Sequence, residues 1–162
     1  MVKDEPPVNV LLVDDKPANL MALEAVLDGM NLNLIKANSG EEALQKFMLE
    51  DYAVILLDVR MPEMDGFETA LTISQRDPSR KTPIIFLTAA HENEVDKTRA
   101  YAVGAIDYLL KPFVPAVLRT KVSILIDLYR NAEDMRELIV KLKSRNQELE
   151  TKNLLLNAKL SV

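Results

Sequence analysis

The segment VILLDVRMPEMDGFE, residues 54–68, contains the features that decide the fold. It begins with an apolar run that has no polar alternation, which is typical of a strand covered on both faces. The run predicts a strand over Ala53–Asp58 that ends in a carboxylate. Further on, Asp65 and Glu68 have the spacing of a capping box, which predicts the start of a helix. The segment therefore indicates a strand, a short connection and a helix.

The same pattern of strand and helix recurs along the chain before and after this segment. We predict five strands, at Val8–Asp14, Leu32–Ala37, Ala53–Asp58, Pro83–Thr88 and Ile106–Leu110. We also predict four intervening helices. The first covers Pro17–Leu27 and is followed by Gly29, and the second runs from the capping box of Ser39 and Glu42 through Phe47. The third begins at Asp65, and the fourth covers Glu92–Val103 and is followed by Gly104. Alternation with short connections predicts an α/β fold, with a parallel sheet and helices on both faces.

Composition narrows the classes of protein that the chain can represent. The 162 residues are 48% hydrophobic, which is enough for a packed core, and they include no Cys for disulfides or thiolate metal sites. No apolar run approaches the roughly 20 residues of a membrane span, so we expect a cytoplasmic protein without a membrane partner. Residues 1–112 carry 11 Lys and Arg against 19 Asp and Glu, which argues against nucleic-acid binding by this part.

Polar side chains stand at the predicted carboxyl ends of four strands. They are Asp14 and Asp15 at the first strand, Asp58 at the third, Thr88 at the fourth and Lys111 at the fifth. In an open parallel sheet these ends meet at one edge, where ligands bind. Carboxylates without His or Cys select Mg²⁺ or a similar hard ion. A carboxylate nucleophile beside such an ion, a lysine and a hydroxyl can accept a phosphoryl group.

Four segments of the sequence resemble the response-regulator receiver domain of bacterial two-component signalling. They are VLLVDDKPANL, VILLDVRMPEMDGFE, PIIFLTA and GAIDYLLKPF, and the resemblance covers roughly residues 8–128. It implies a flavodoxin-like, doubly wound sheet of five parallel strands in the order 2-1-3-4-5. It also implies that Asp58 is the phosphoacceptor, with a phosphohistidine of a histidine kinase or histidine phosphotransfer protein as the donor.

The resemblance implies a Mg²⁺ (or Mn²⁺) site at the carboxyl edge of the sheet. Asp15, Asp58 and the backbone carbonyl of Arg60 would hold the ion, and Asp14 would act directly or through water. These roles are carried over from the family, position by position.

The resemblance assigns roles to three further residues. Lys111 would pair with the phosphoryl group, its peptide bond to Pro112 would be cis, and Thr88 would donate its hydroxyl to the same group. Tyr108 matches the family's switch aromatic, so Thr88 would move toward the phosphoryl group and Tyr108 would turn into the vacated space. Apart from accepting a phosphoryl group and slowly hydrolysing it, no enzyme activity is expected of this chain.

The C-terminal stretch predicts one long helix, because the 47 residues after Pro115 include neither Gly nor Pro. A heptad frame has a positions at Ala132, Ile139, Asn146, Asn153 and Leu160, and d positions at Leu128, Met135, Leu142, Leu149 and Leu156. Leu at d with Asn at a favours a parallel two-stranded coiled coil, in which Arg145 at g faces Glu150 at e of the partner. We therefore expect a homodimer, while the alternative is an amphipathic tail that frays in isolation.

The expected organisation is a tail over residues 1–7, a receiver over 8–128 and a helical extension over 129–162. The segments DDKPANLMALEAVL and LRTKVSILIDLYR look most like receivers at the N-terminus of larger proteins, in particular hybrid histidine kinases. The output would then lie in a further domain or a partner.

Two other functions compete with the phosphorylated receiver. One is a dimerisation scaffold that keeps the fold without phosphotransfer, although such a pseudo-receiver would be free to lose members of the polar set. The other is a phosphatase of the haloacid-dehalogenase type, which carries a second Asp two residues after the nucleophile. Arg60 occupies that position here, which argues against it.

Overall fold

A computed structural model of the chain describes residues 4–76, 78–79, 81–89 and 94–161. Strands and helices alternate as β1 (Val8–Val13), α1 (Pro17–Leu27), β2 (Leu32–Ala37), α2 (Gly40–Leu49), β3 (Val54–Asp58), α3 (Gly66–Arg76), β4 (Ile84–Ala89), α4 (Glu94–Ala102), β5 (Asp107–Lys111) and α5 (Pro115–Leu160). The predicted start of the fourth helix at Glu92 lies outside the described residues. The other predicted elements are present, with bounds that differ by a few residues at most.

The five strands form one parallel sheet in the order β2-β1-β3-β4-β5, which confirms the predicted fold class. All five residues of β3 are buried, as its unbroken apolar run predicts. The edge strand β2 is only partly buried. Because β3 and β1 are adjacent and parallel, Asp58 and the residues that follow Val13 lie at the same edge of the sheet.

Local signals fix where the helices begin and end. Before α3, Asp65 Oδ1 accepts from the Glu68 N–H at 2.8 Å, and Glu68 Oε2 accepts from the Asp65 N–H at 3.2 Å. This reciprocal pair is the predicted capping box. Ser39 caps α2 by accepting from the Glu42 N–H at 3.1 Å. Gly29 follows α1 at a φ of +77°, in the left-handed region that ends helices.

The start of α3 lies very close to the end of β3. A Cβ at Gly66 would overlap the Asp58 carbonyl oxygen and would come within 2.8 Å of Val59 Cα. The Gly66 N–H donates to the Val59 carbonyl at 2.8 Å. Only glycine fits this approach, which holds the loop after Asp58 in place.

The 46-residue helix α5 runs without interruption, as predicted from the absence of Gly and Pro. The chain divides into two compact units, Met1–Ile126 and Asp127–Val162. Within the first unit, α5 buries Leu118, Val122, Leu125 and Ile126. The receiver and extension bounds at residues 128 and 129 stay a prediction. Among the described helices, none combines the length and apolar character that a membrane span requires.

Candidate functional site

Three carboxylates meet at the carboxyl edge of the sheet. Asp14 and Asp15 follow β1, and Asp58 is the last residue of β3. One oxygen from each of the three lies within 4.8 Å of the others. Asp14 and Asp58 are buried, with 1% and 8% of their surface exposed, and Asp15 is partly buried. Such a set repels itself unless a cation or proton neutralises part of its charge.

Asp14 is held by hydrogen bonds to both of its oxygens. Its Oδ1 accepts from the Lys16 backbone N–H at 2.9 Å. Its Oδ2 accepts from Asn19 Nδ2 at 3.0 Å and from Lys111 Nζ at 3.1 Å. The carboxylate of Asp14 is therefore fixed by the first turn of α1 and by the end of β5.

Lys111 supplies a positive charge to the carboxylate cluster. Its Nζ lies 3.1 Å from Asp14 Oδ2 and 3.9 Å from Asp58 Oδ1. The Lys111 side chain is about one quarter exposed, so solvent screens the two ion pairs only partly. The peptide bond between Lys111 and Pro112 is cis, as the resemblance implied.

The environment of Asp58 disfavours its charged form. Burial raises the pKa of Asp58 from 3.8 to about 6, and the charge of Asp14 adds to this effect. Lys111 and a hydrogen bond from the Arg60 backbone act in the opposite direction and lower this pKa. A bound cation would also favour the ionised carboxylate, because opposite charges at short range stabilise each other.

Two buried oxygens at this edge have no hydrogen-bond partner among the described residues. They are Asp15 Oδ1 and Thr88 Oγ1. Thr88 is fully buried in β4, where its register partner in β5 is Leu110, next to Lys111. Buried polar atoms are nearly always hydrogen-bonded, so two such atoms at one edge indicate a site for a ligand. An unpaired carboxylate oxygen suits a cation, and an unpaired hydroxyl suits an acceptor such as a phosphoryl oxygen.

The remaining predicted site residues lie in the loop after β3 and in β5. Arg60 is exposed, two residues beyond Asp58. Tyr108 is buried, with 8% of its surface exposed, and its register partner in β4 is Phe86. The Tyr108 N–H donates to Asp107 Oδ1 at 2.8 Å. Tyr108 is therefore packed inward in this structure.

Two residues that contribute to the site were not predicted from the sequence. Asn19 lies in the first turn of α1, and its amide reaches Asp14 at 3.0 Å. The signal for it was an amide residue in the helix turn that follows the Asp14-Asp15 pair. Gly66 permits the close approach of α3 to Asp58. The signal for Gly66 was a glycine at the first position of a capped helix. Most residues are tolerated at that position, so a glycine there indicates that another part of the backbone lies close by.

The fold and the site together define an α/β domain with a doubly wound sheet. At the carboxyl edge of the sheet lies a buried carboxylate cluster whose chemistry suits a cation. The sequence model of the response regulator receiver domain matches residues 10–123. The chain belongs to this family.

Individual relatives agree with this assignment. The transcriptional regulatory protein SrrA of Staphylococcus aureus is 39% identical over 114 residues, which are 69% of this chain and 46% of SrrA. The chain thus spans about half the length of the curated relatives it matches. The chemotaxis protein CheY4 of Vibrio cholerae superposes with a TM-score of 0.67 at 31% identity, covering 74% of this chain and 98% of that one.

A third relative is the receiver domain of a signal transduction histidine kinase from Syntrophus aciditrophicus. It superposes with a TM-score of 0.67 at 29% identity, covering 74% of this chain and 90% of that one. Receiver domains of this family interact with histidine kinases or phosphotransfer proteins.

Proposed function

We propose that this chain is a phosphorylated receiver, which accepts a phosphoryl group on Asp58 from a phosphohistidine of a histidine kinase or histidine phosphotransfer protein. The observation that carries the proposal is the pair of unpartnered buried oxygens, Asp15 Oδ1 and Thr88 Oγ1, at the same edge of the sheet as the carboxylate of Asp58. A scaffold without phosphotransfer gains nothing from two unsatisfied buried polar atoms, because each costs stability. Such a relay would operate in the cytoplasm.

Mg²⁺, or Mn²⁺ in its place, fits the donor set of this site. Asp15 and Asp58 would hold the ion together with the Arg60 backbone carbonyl, and Asp14, whose two oxygens accept hydrogen bonds from the protein, would act directly or through a water. All of these donors are hard oxygens, which these ions prefer. The bound ion would supply positive charge to the equatorial phosphoryl oxygens.

In the transfer step, a carboxylate oxygen of Asp58 attacks the phosphorus atom in line with the leaving nitrogen. A P–O bond forms while the P–N bond of the phosphohistidine breaks, and its electron pair stays on the imidazole nitrogen. Lys111 Nζ lies 3.9 Å from Asp58 Oδ1, so a small shift of its side chain would pair it with a phosphoryl group attached there. Thr88 would donate its unpaired hydroxyl to the same group.

The switch that follows would use Thr88 and Tyr108. Moving Thr88 Oγ1 onto a phosphoryl oxygen satisfies a buried hydroxyl, which favours the phosphorylated conformation. Tyr108 packs in the same core cluster as Phe86, its neighbour across the strands. Movement of Thr88 in β4 would therefore change the packing of the Tyr108 ring in the adjacent strand β5.

The output would pass through a homodimer of the C-terminal helix. In the unit Asp127–Val162, the a and d side chains Ile139, Leu142, Leu149, Leu156 and Leu160 are exposed. The occupant we propose for this face is a second copy of the chain in parallel register. Asn146 and Asn153 would then each meet their own counterpart, which lets the two amides hydrogen-bond and fixes the register.

Charge complementarity supports the parallel arrangement. Arg145 at g is followed five residues later by Glu150 at e, so the two residues would face each other across a parallel dimer. Arg145 now forms a long hydrogen bond of 3.4 Å to Glu148 on its own helix, a contact that is weak enough to exchange. The coiled coil would pass the signal to an output domain or a partner.

The phosphorylation proposal is tested by the intact mass of the protein after incubation with Mg²⁺ and a small acyl phosphate. We expect a gain of one phosphoryl group, which disappears in Asp58→Asn and without Mg²⁺. Asp4→Asn, which changes an exposed carboxylate remote from β3 in sequence, is the matched control and should be modified like the wild type. No gain in the folded wild type, with a donor shown to be active on another receiver, would favour the scaffold.

A further inference from the structure

Asp14 Oδ2 accepts two hydrogen bonds that come from different elements of the fold. Asn19 Nδ2 on α1 lies 3.0 Å away, and Lys111 Nζ at the end of β5 lies 3.1 Å away. Asp14 is only 1% exposed, so bulk water has little access to this oxygen. Asn19 and Lys111 therefore both donate hydrogen bonds to the same buried, charged oxygen of Asp14.

The proposed phosphorylation places a second demand on Lys111. Its Nζ is nearer to Asp14 Oδ2, at 3.1 Å, than to Asp58 Oδ1, at 3.9 Å. A shift of Nζ toward a phosphoryl group on Asp58 would lengthen its contact with Asp14 Oδ2, the oxygen that it approaches more closely in this structure. A buried, charged oxygen that is left without any partner is strongly destabilised by the loss of water, whereas one that keeps a hydrogen bond is destabilised far less.

We infer that Asn19 is a positioning residue that keeps Asp14 Oδ2 hydrogen-bonded when Lys111 moves to the phosphoryl group. This inference rests on the proposed function. Asn19 is suited to the task because its own backbone is fixed independently of Lys111: its N–H donates to the Lys16 carbonyl at 3.0 Å in the first turn of α1. The amide thus lowers the cost of transferring Lys111 from one anion to the other.

A simpler role for Asn19 must be separated from this one. Lys16, at the N-cap of α1, makes no side-chain cap, so the contacts of Asp14 with Asn19 and with the Lys16 N–H also anchor the helix start. If anchoring were the whole role, loss of the amide would lower thermal stability without changing the affinity for a phosphoryl mimic. The two roles therefore predict different measurements.

The test measures the affinity of beryllofluoride for the full chain in saturating Mg²⁺ by isothermal titration calorimetry. Asn19→Leu removes the donor at similar size, and we expect about tenfold weaker beryllofluoride binding, the effect of one hydrogen bond to a charged group. Asn19→Gln, which retains the amide, should recover most of the affinity. Asn33→Leu is the matched control, because it removes an amide that donates to Asn9 Oδ1 at 2.8 Å at the opposite edge of the sheet.

A double-mutant cycle with Lys111→Met tests whether Asn19 acts through Lys111. In that background there is no lysine to transfer, so Asn19→Leu should no longer weaken beryllofluoride binding. Equal binding by wild type and Asn19→Leu, or a full additional loss in the Lys111→Met background, would overturn the inference. Absence of wild-type binding, or equal binding by Asp58→Asn, would instead overturn the proposed function.

Discussion

The ammonium of Lys111 lies nearer to Asp14 than to the candidate phosphoacceptor Asp58, at 3.1 Å against 3.9 Å. In this arrangement the lysine neutralises part of the charge of the carboxylate cluster before any phosphoryl group is present. Lys111 would therefore also compete with a cation for the same negative charge.

Lys111→Met should strengthen Mg²⁺ binding while it slows phosphorylation. Removal of a positive charge a few ångströms from the carboxylates removes its repulsion of the ion, which we expect to raise the Mg²⁺ affinity about tenfold at low ionic strength. Calorimetric titration with Mg²⁺ measures the change. Lys36→Met is the control, since Lys36 pairs with Glu24 on an exposed surface and should leave the affinity unaltered. An unchanged Mg²⁺ affinity in Lys111→Met would mean that the ammonium of Lys111 does not repel the bound ion.

Asp58 should make the metal-free protein less stable as the pH rises. Burial raises the pKa of Asp58 from 3.8 to about 6, so between these values the folded chain holds a proton that the unfolded chain has released. Stability therefore falls as the pH rises through this window, and the penalty is complete above pH 6.

Replacement of the Asp58 carboxylate should restore the stability that the protein loses as the pH rises. In urea unfolding with a chelator present, Asp58→Asn should gain ~3 kcal/mol at neutral pH and nothing below the lower pKa. Asp4→Asn should follow the wild type at every pH, because Asp4 is exposed. A stability difference between Asp58→Asn and wild type that does not vary with pH would assign the effect to packing instead of charge.

Gly66→Ala should distort the site and not merely reduce helix flexibility. The new methyl would overlap the Asp58 carbonyl oxygen and lie 2.8 Å from Val59 Cα, both of them backbone atoms that cannot turn aside. We expect a loss of ~2–4 kcal/mol in the free energy of unfolding, together with slower phosphorylation of Asp58.

Gly29→Ala is the comparison for this substitution. Gly29 has a φ of +77° but nothing within 4 Å of its added Cβ, so this variant meets backbone strain without a steric clash. It should lose only about 1 kcal/mol and keep normal phosphorylation. Equal losses in the two variants would refute the steric account.

The elements of the fold were predictable because their signals are local. The buried run of β3 and the capping residues Ser39 and Asp65 act within a few residues of the structure they specify. The bounds of β5 were harder to predict. The prediction placed its start at Ile106, whose N–H donates to the Ile84 carbonyl at 2.9 Å, but the strand begins one residue later, at Asp107. Strand ends depend on the neighbouring strand, which local sequence does not describe.

The composition of the candidate site was predictable for a different reason. Parallel strands bring their carboxyl ends to one edge, so Asp14, Asp15 and Asp58 had to meet once the strands were assigned. The sequence did not reveal which oxygen of Asp14 receives Asn19, or that α3 approaches Asp58 closely enough to require Gly66. Both facts concern close contacts between separate parts of the chain, and they follow only from packing in three dimensions.

The proposed dimer depends on the d positions of the C-terminal helix and not on its apolar character in general. Leu149 at d and Leu154 at b are both exposed apolar residues of the same helix, but only Leu149 would be buried by a parallel partner. A charge at Leu149 would be forced into the seam of both chains, while a charge at Leu154 would stay in water. The two positions thus form a matched pair.

Sedimentation of the full chain at micromolar concentration should give a dimer for the wild type and for Leu154→Glu. Leu149→Glu should weaken dimerisation about 100-fold or more, since each chain loses the burial of one leucine, and should sediment as a monomer. A monomeric wild type would contradict the homodimer directly. If both variants dissociated alike, the helices would associate through a face other than the heptad seam, and the pairing of Arg145 with Glu150 would lose its basis.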